Sequence, residues 1–178
     1  CYISLASEKN NPDICGKIAN DKMQIDCYRE VARLNNNADS CSKITGSIKN
    51  DCFVDVAIAT QDLSVCDSID YVPTKERCYA ELGKLKLDIS ICSSIKGQLQ
   101  KDICTTSVAA GKLDIALCDG VQDKGTKESC YRDVAVAKQD GELCKKIQNT
   151  DGYAACINGI AIAKKDLSIC DALEGQSR

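Results

Sequence analysis

The sequence predicts an all-α chain, an α-solenoid of seven helical hairpins with a period of 26 residues. Three observations carry that prediction. First, the fourteen cysteines stand at positions 1, 15, 27, 41, 52, 66, 78, 92, 104, 118, 130, 144, 156 and 170. A step of 14 that never varies alternates with a step of 12, shortened once to 11 between Cys41 and Cys52. Second, aliphatic residues follow the cysteines at helical spacing. Third, a short polar residue recurs at one fixed phase, where a helix N-terminus needs an oxygen.

Seven copies begin at Cys1, Cys27, Cys52, Cys78, Cys104, Cys130 and Cys156, and they read as a single repeat domain over residues 1–178. The first element of each copy, helix A, carries its cysteine at the first position. Four residues on it carries Leu5, Val31, Val56, Leu82, Val108, Val134 or Ile160. Residues four apart share one helix face. The sixth position is Ala in every copy except Gly83, so a neighbouring backbone can come close. Helix A is expected to start some four residues before its cysteine, near Pro73 or Thr74 and near Thr126 in two of the copies, and to end about the ninth position.

The eleventh position holds Asn11, Asn37, Asp62, Asp88, Asp114, Asp140 and Asp166, side chains suited to cap the next helix. Pro12 follows one of them at a position where proline is tolerated. The shorter helix B then carries the second cysteine and, three residues later, Ile18, Ile44, Ile69, Ile95, Val121, Ile147 or Leu173. Gly46 and Gly97 stand where a left-handed residue would close it. Lys9, Lys86, Lys112, Lys138 and Lys164 fall in the last turn of helix A, where cations offset the macrodipole. Each hairpin is too small to bury its own apolar face and gains a core only by stacking. The Ser-Glu-Lys-Asn-Asn stretch at 7–11 and the tail Glu174 to Arg178 read as polar end caps.

With 14 cysteines, no histidine and no Trp, the interior has to be built from sulfur and small aliphatics. An even, regular cysteine count reads as a disulfide framework in an oxidising compartment, with the chain exported. The cytosol of a hyperthermophile is the other setting that tolerates such bridges. Two registers are open. Pairing across the step of 14 uses every thiol. Pairing across the shorter step joins Cys15 to Cys27, Cys41 to Cys52, Cys66 to Cys78, Cys92 to Cys104, Cys118 to Cys130 and Cys144 to Cys156, and leaves Cys1 and Cys170 over. Antiparallel helices bridge only at similar height above their turn. The loop midpoint near Gln122 to Lys124 matches heights for the shorter step, whereas the longer step leaves them roughly 5 to 7 Å apart at 1.5 Å per residue. That favours the shorter step; the constancy of the longer one is the argument for the alternative.

A net charge of −3 and a pI near 5.1 argue against a polyanionic partner such as nucleic acid. No window is long and apolar enough to span a bilayer. Short C-x2-4-C pairs for zinc and C-x-x-C for redox work are absent, so no metal site, no cofactor and no catalytic set is expected. One carboxylate per repeat is too few to hold calcium. The aromatics after the helix-A cysteine (Tyr2, Tyr28, Phe53, Tyr79, Tyr131) are expected to pack against the next repeat.

Paired helices with a cysteine on each resemble secreted, disulfide-stapled members of the Sel1-like and tetratricopeptide class. The C-x11-C hairpins resemble twin-cysteine helical hairpin proteins. The period of 26 and the missing Trp-Leu-Gly-Tyr pattern depart from the tetratricopeptide form. The C-Y-x-x-V-A and D-x-x-x-C-x-x-I pattern, over all seven copies, is similar to cysteine-rich tandem repeats of exported archaeal proteins. The resemblance implies a stapled helical scaffold and no functional residue.

The leading expectation is a non-enzymatic, extracellular or cell-surface structural protein that self-associates head to tail into a filament, with Cys170 of one molecule meeting Cys1 of the next. The alternative is a cell-surface binding module for a protein or glycan, whose groove would carry departures from the repeat such as Thr105, Gly111 and the run Asn35 to Asn37. Lipid modification of Cys1 is a third reading, ranked below these because that cysteine already fits the repeat phase.

Overall fold

The computed structural model describes residues 1–170; Leu173 and the tail Glu174 to Arg178 lie outside the described residues. The described residues are helical, with no strand among them. The chain divides into two compact units, Cys1–Leu82 and Gly83–Arg178.

Long and short helices alternate in both. Helix A is Tyr2–Glu8, Asp21–Asn35, Ile48–Thr60, Val72–Lys86, Gln98–Lys112, Lys124–Lys138 and Thr150–Lys164 in the successive copies. Helix B is Pro12–Lys17, Ala38–Ser42, Leu63–Asp67, Ile89–Cys92, Ile115–Gly120, Gly141–Lys146 and Leu167–Cys170, four of these being 3₁₀.

Helix A ends at the ninth position wherever it is long, but five of the helices begin six residues before their cysteine, two earlier than expected. The cap explains the difference. Asn20, Asp123 and Asn149 stand just outside and accept backbone N–H groups of the first turn, so Asp123 receives the Thr126 N–H at 2.8 Å and draws Lys124 and Gly125 into the helix.

The turn from helix A to helix B is the most regular feature of the chain. Every tenth position is left-handed: Asn10, Asn36, Gln61, Leu87, Leu113, Gln139 and Lys165 all have φ between 46° and 57°. In six copies the eleventh residue then donates its N–H back to the carbonyl of the sixth, as Asp114 does to Ala109 at 2.9 Å and Asp88 to Gly83 at 3.0 Å. This closes the helix in Schellman fashion. The same eleventh residue turns forward and caps helix B in all seven copies, its side-chain oxygen accepting an N–H two or three residues on at 2.9 to 3.3 Å.

In the first six copies helix B is shorter than expected, and the aliphatic three residues after its cysteine lies beyond it. Ile18, Val121 and Ile147 are extended, at ψ 116°, 130° and 120°, and each donates its N–H to the cysteine carbonyl. An i to i−3 bond tightens this last turn and directs the aliphatic inward. Neither glycine closes helix B as expected. Gly46 is left-handed (φ 78°) but belongs to the connection that follows, and Gly97, at φ −67°, caps the next helix A.

In unit 1 the buried core comprises the bridged cysteines with Val31, Ile44, Phe53, Val56, Ile69 and Leu82. In unit 2 Val121, Val134, Ile147 and Ile160 take the same roles. Each such side chain, fully buried, is worth roughly 1.5 to 3 kcal/mol. Glycines mark the closest approaches in unit 2. A Cβ on Gly83 would stand 2.9 Å from the Cys104 sulfur, and one on Gly111 would collide with Leu87 Cδ2. Gly111 therefore departs from the repeat because Leu87, displayed by the left-handed turn, lies over it.

Candidate functional site

The feature repeated most often is a sulfur bridge from helix B of one copy to helix A of the next. Six are present: Cys15–Cys27, Cys41–Cys52, Cys66–Cys78, Cys92–Cys104, Cys118–Cys130 and Cys144–Cys156, with Cα atoms 5.6 to 5.9 Å apart. All twelve cysteines are at most 1% exposed. The bridges are thus part of the core, filling volume as well as joining chain. Each closes a loop that, by chain entropy, contributes about 3 kcal/mol.

At two of the six bridges the residues after the cysteines form a second, outer contact. The Tyr79 hydroxyl donates to Asp67 and the Tyr131 hydroxyl to Asp119, each spanning the same twelve residues as the bridge beneath. Burial and the Asp67 carboxylate push the Tyr79 phenol up to about 12. At Tyr131 the hydrogen bond to Asp119 comes first, then burial, and the result is again about 12. Tyr131 in turn holds the Asp119 carboxyl below its ordinary range, helped by Lys146 and Lys127. The sequence displays this partnership as Asp and Tyr twelve apart, a signal that reading the aromatics as one packing stripe passes over.

Asp102 was not anticipated as a site residue. It is 1% exposed. Its Oδ2 accepts the N–H groups of Gln122 at 3.1 Å and Asp123 at 2.8 Å, and its Oδ1 accepts the Gln98 side-chain amide at 2.7 Å. The carboxylate thereby fixes the connection whose Asp123 caps the next helix.

No family model, curated protein or solved structure matches this chain. Nothing is carried over from a relative.

Cys1 and Cys170 are free thiols, the first exposed and the second partly so. Near Cys1, one repeat position that is buried in the other copies is open. Leu5 is 37% exposed, whereas the fifth-position residues of the other six copies are at most 1%. Ile162 and Leu167 are 69% and 84% exposed. Among the described residues, no group of three or more Cys, Asp or Glu is placed to hold a metal ion, and no helix is long and apolar enough to cross a membrane. Six intramolecular disulfides fit an oxidising, exporting environment.

Proposed function

We propose that this chain is a non-enzymatic, extracellular structural protein, an α-solenoid segment that joins copies of itself head to tail into a surface filament. One observation carries the reading. In each bridge a helix-B cysteine meets the helix-A cysteine of the following copy, and two cysteines of these same two kinds, Cys170 and Cys1, stand as free thiols, the former partly exposed and the latter exposed. Exposed apolar residues lie near both thiols in the sequence, Leu5 at one and Ile162 and Leu167 at the other, and are available for a second molecule to cover. The junction would repeat the packing already made inside the chain. A contact that does not close on itself generates a fibre.

Its covalent step is an oxidation. The Cys170 and Cys1 thiols lose two protons and two electrons to an oxidised thiol–disulfide carrier of the exporting compartment, which leaves as the dithiol while the new S–S bond forms. The test is a non-reducing gel of oxidised protein followed by peptide mass spectrometry. The expected result is a ladder containing a Cys170–Cys1 peptide between molecules, removed by Cys1→Ser or by Cys170→Ser. A stable monomer at high concentration, or a Cys1 to Cys15 peptide, defeats the reading.

A further inference from the structure

The fifth copy differs from its two neighbours beside the bridge that joins it to the fourth. Where the fourth and sixth copies pair Tyr79 with Asp67 and Tyr131 with Asp119, the fifth has Thr105 and Ser93. The space is a hollow of about 300 Å³ lined by apolar Ile89, Ala116 and Leu117, with Lys101, Ser93 and Thr105 as polar members.

The sixth copy supplies a neighbouring groove of about 400 Å³, lined by Tyr131, Lys124, Lys127, Lys146 and Glu128 between two glutamines. Lys101 and Lys127 hold the same repeat position, as do Thr105 and Tyr131, and the two helices that carry them pack side by side in unit 2. Hollow and groove therefore share one face. Lys146 is partly engaged, 5.3 Å from the Tyr131 ring centre and 3.7 Å from Asp119. Among the described residues, Lys101, Lys124 and Lys127 form no ion pair. Four lysines and one carboxylate, Glu128, thus line the two depressions, with Asp119 beside Lys146 and with Asp102 and Asp123 next to Gln122 and Lys124, on a chain whose net charge is −3.

From this arrangement we infer that the face binds a short uronic-acid saccharide. A pyranose ring would set its C–H face on Ile89, Ala116 and Leu117, its hydroxyls toward Ser93 and Thr105, and its carboxylate at Lys101. The next sugar would lie against Tyr131 with its carboxylate at Lys127 and Lys124. An acidic peptide supplies the charge but no ring for the hollow, and a dense polyphosphate needs more cations than four. This site is independent of the filament.

The test uses full-length oxidised protein with Cys1→Ser and Cys170→Ser, which keeps it monomeric whether or not filaments form. Trigalacturonate, maltotriose and triglutamate are titrated separately and followed by amide chemical shifts. The expected result is saturable binding of trigalacturonate alone, with shifts at Lys101, Thr105 and Tyr131. Lys101→Glu and Lys127→Glu should each weaken it about tenfold, with loss at high salt. Thr105→Tyr refills the hollow with the side chain that neighbouring copies use there, and should weaken binding about as much while melting stays cooperative. Equal binding of maltotriose, tighter binding of triglutamate, no saturation with trigalacturonate, or unchanged affinity in Lys101→Glu and Lys127→Glu would each overturn the assignment.

Discussion

The Tyr131 hydroxyl donates to Asp119 Oδ1 at 2.6 Å, directly outside the bridge joining Cys118 to Cys130. Chain-adjacent residues at both ends of a disulfide thus repeat its connection with a hydrogen bond. The pair ties helix B to the next helix A at the surface as sulfur does inside.

This fixes an alkaline limb. Both phenols are raised to about 12, so the folded state holds their protons more tightly than the unfolded chain does. Their contribution is complete below the ordinary phenol value of about 10 and is lost as pH rises through 12. Ultraviolet titration should resolve two of the six tyrosines as late-titrating, and Tyr131→Phe should remove one. Simultaneous ionisation of all phenols near pH 10 would contradict the pairing.

The caps set the acid limb. Hydrogen bonds from Ser90 and Ser168 hold the Asp88 and Asp166 carboxyls below their ordinary range. Depressed carboxyls contribute fully above the unfolded value of about 4, and the contribution fades as pH falls through the folded one. Urea midpoints should therefore decline below about pH 4, and less steeply in the double variant Asp88→Asn, Asp166→Asn. Asparagine already caps at Asn11 and Asn37, so the neutral-pH stability of that variant should be close to that of the parent.

Asp102→Ala leaves the part-buried N–H groups of Gln122 and Asp123 without their acceptor, at an expected cost of about 1 to 2 kcal/mol. The local signature is faster hydrogen exchange at Gln122 and Asp123, reported by heteronuclear NMR. An unchanged melt together with unchanged exchange would show that the carboxylate does not hold that loop.

Ser40 offers the opposite sign. It is fully buried and its Oγ has no hydrogen-bond partner, while the same position in other copies carries Ile14, Val65 or Ile91. Ser40→Val removes the stranded hydroxyl and should stabilise by about 1 kcal/mol. Calorimetry would read this as a higher melting temperature; a lower one would mean that the site cannot take the added volume.

Periodicity made much of this visible in the sequence. Cysteines at the first position, aliphatics at the fifth and Asn or Asp at the eleventh each announce a physical requirement by residue type, and the helices follow. The left-handed tenth position does not announce itself, because Leu87, Leu113 and Lys165 occupy a conformation usually marked by glycine. It is imposed by the closing bond to the sixth carbonyl and the cap that follows. Gly46 and Gly97 misled for the same reason, being glycines outside that turn. Asp102 was hidden because its burial depends on a loop some twenty residues later, a relation that helical spacing within one copy does not encode.

Since every bridge spans only the connection from one copy to the next, the sulfur framework protects the chain unevenly. A protease that cuts the exposed stretch around Lys124 leaves fragments still tethered through Cys118 and Cys130. A cut in the left-handed turn at Gln139, between Cys130 and Cys144, has no bridge across it and separates the pieces. Digestion without reductant should therefore release whole stapled modules whose breaks fall at the turns within copies.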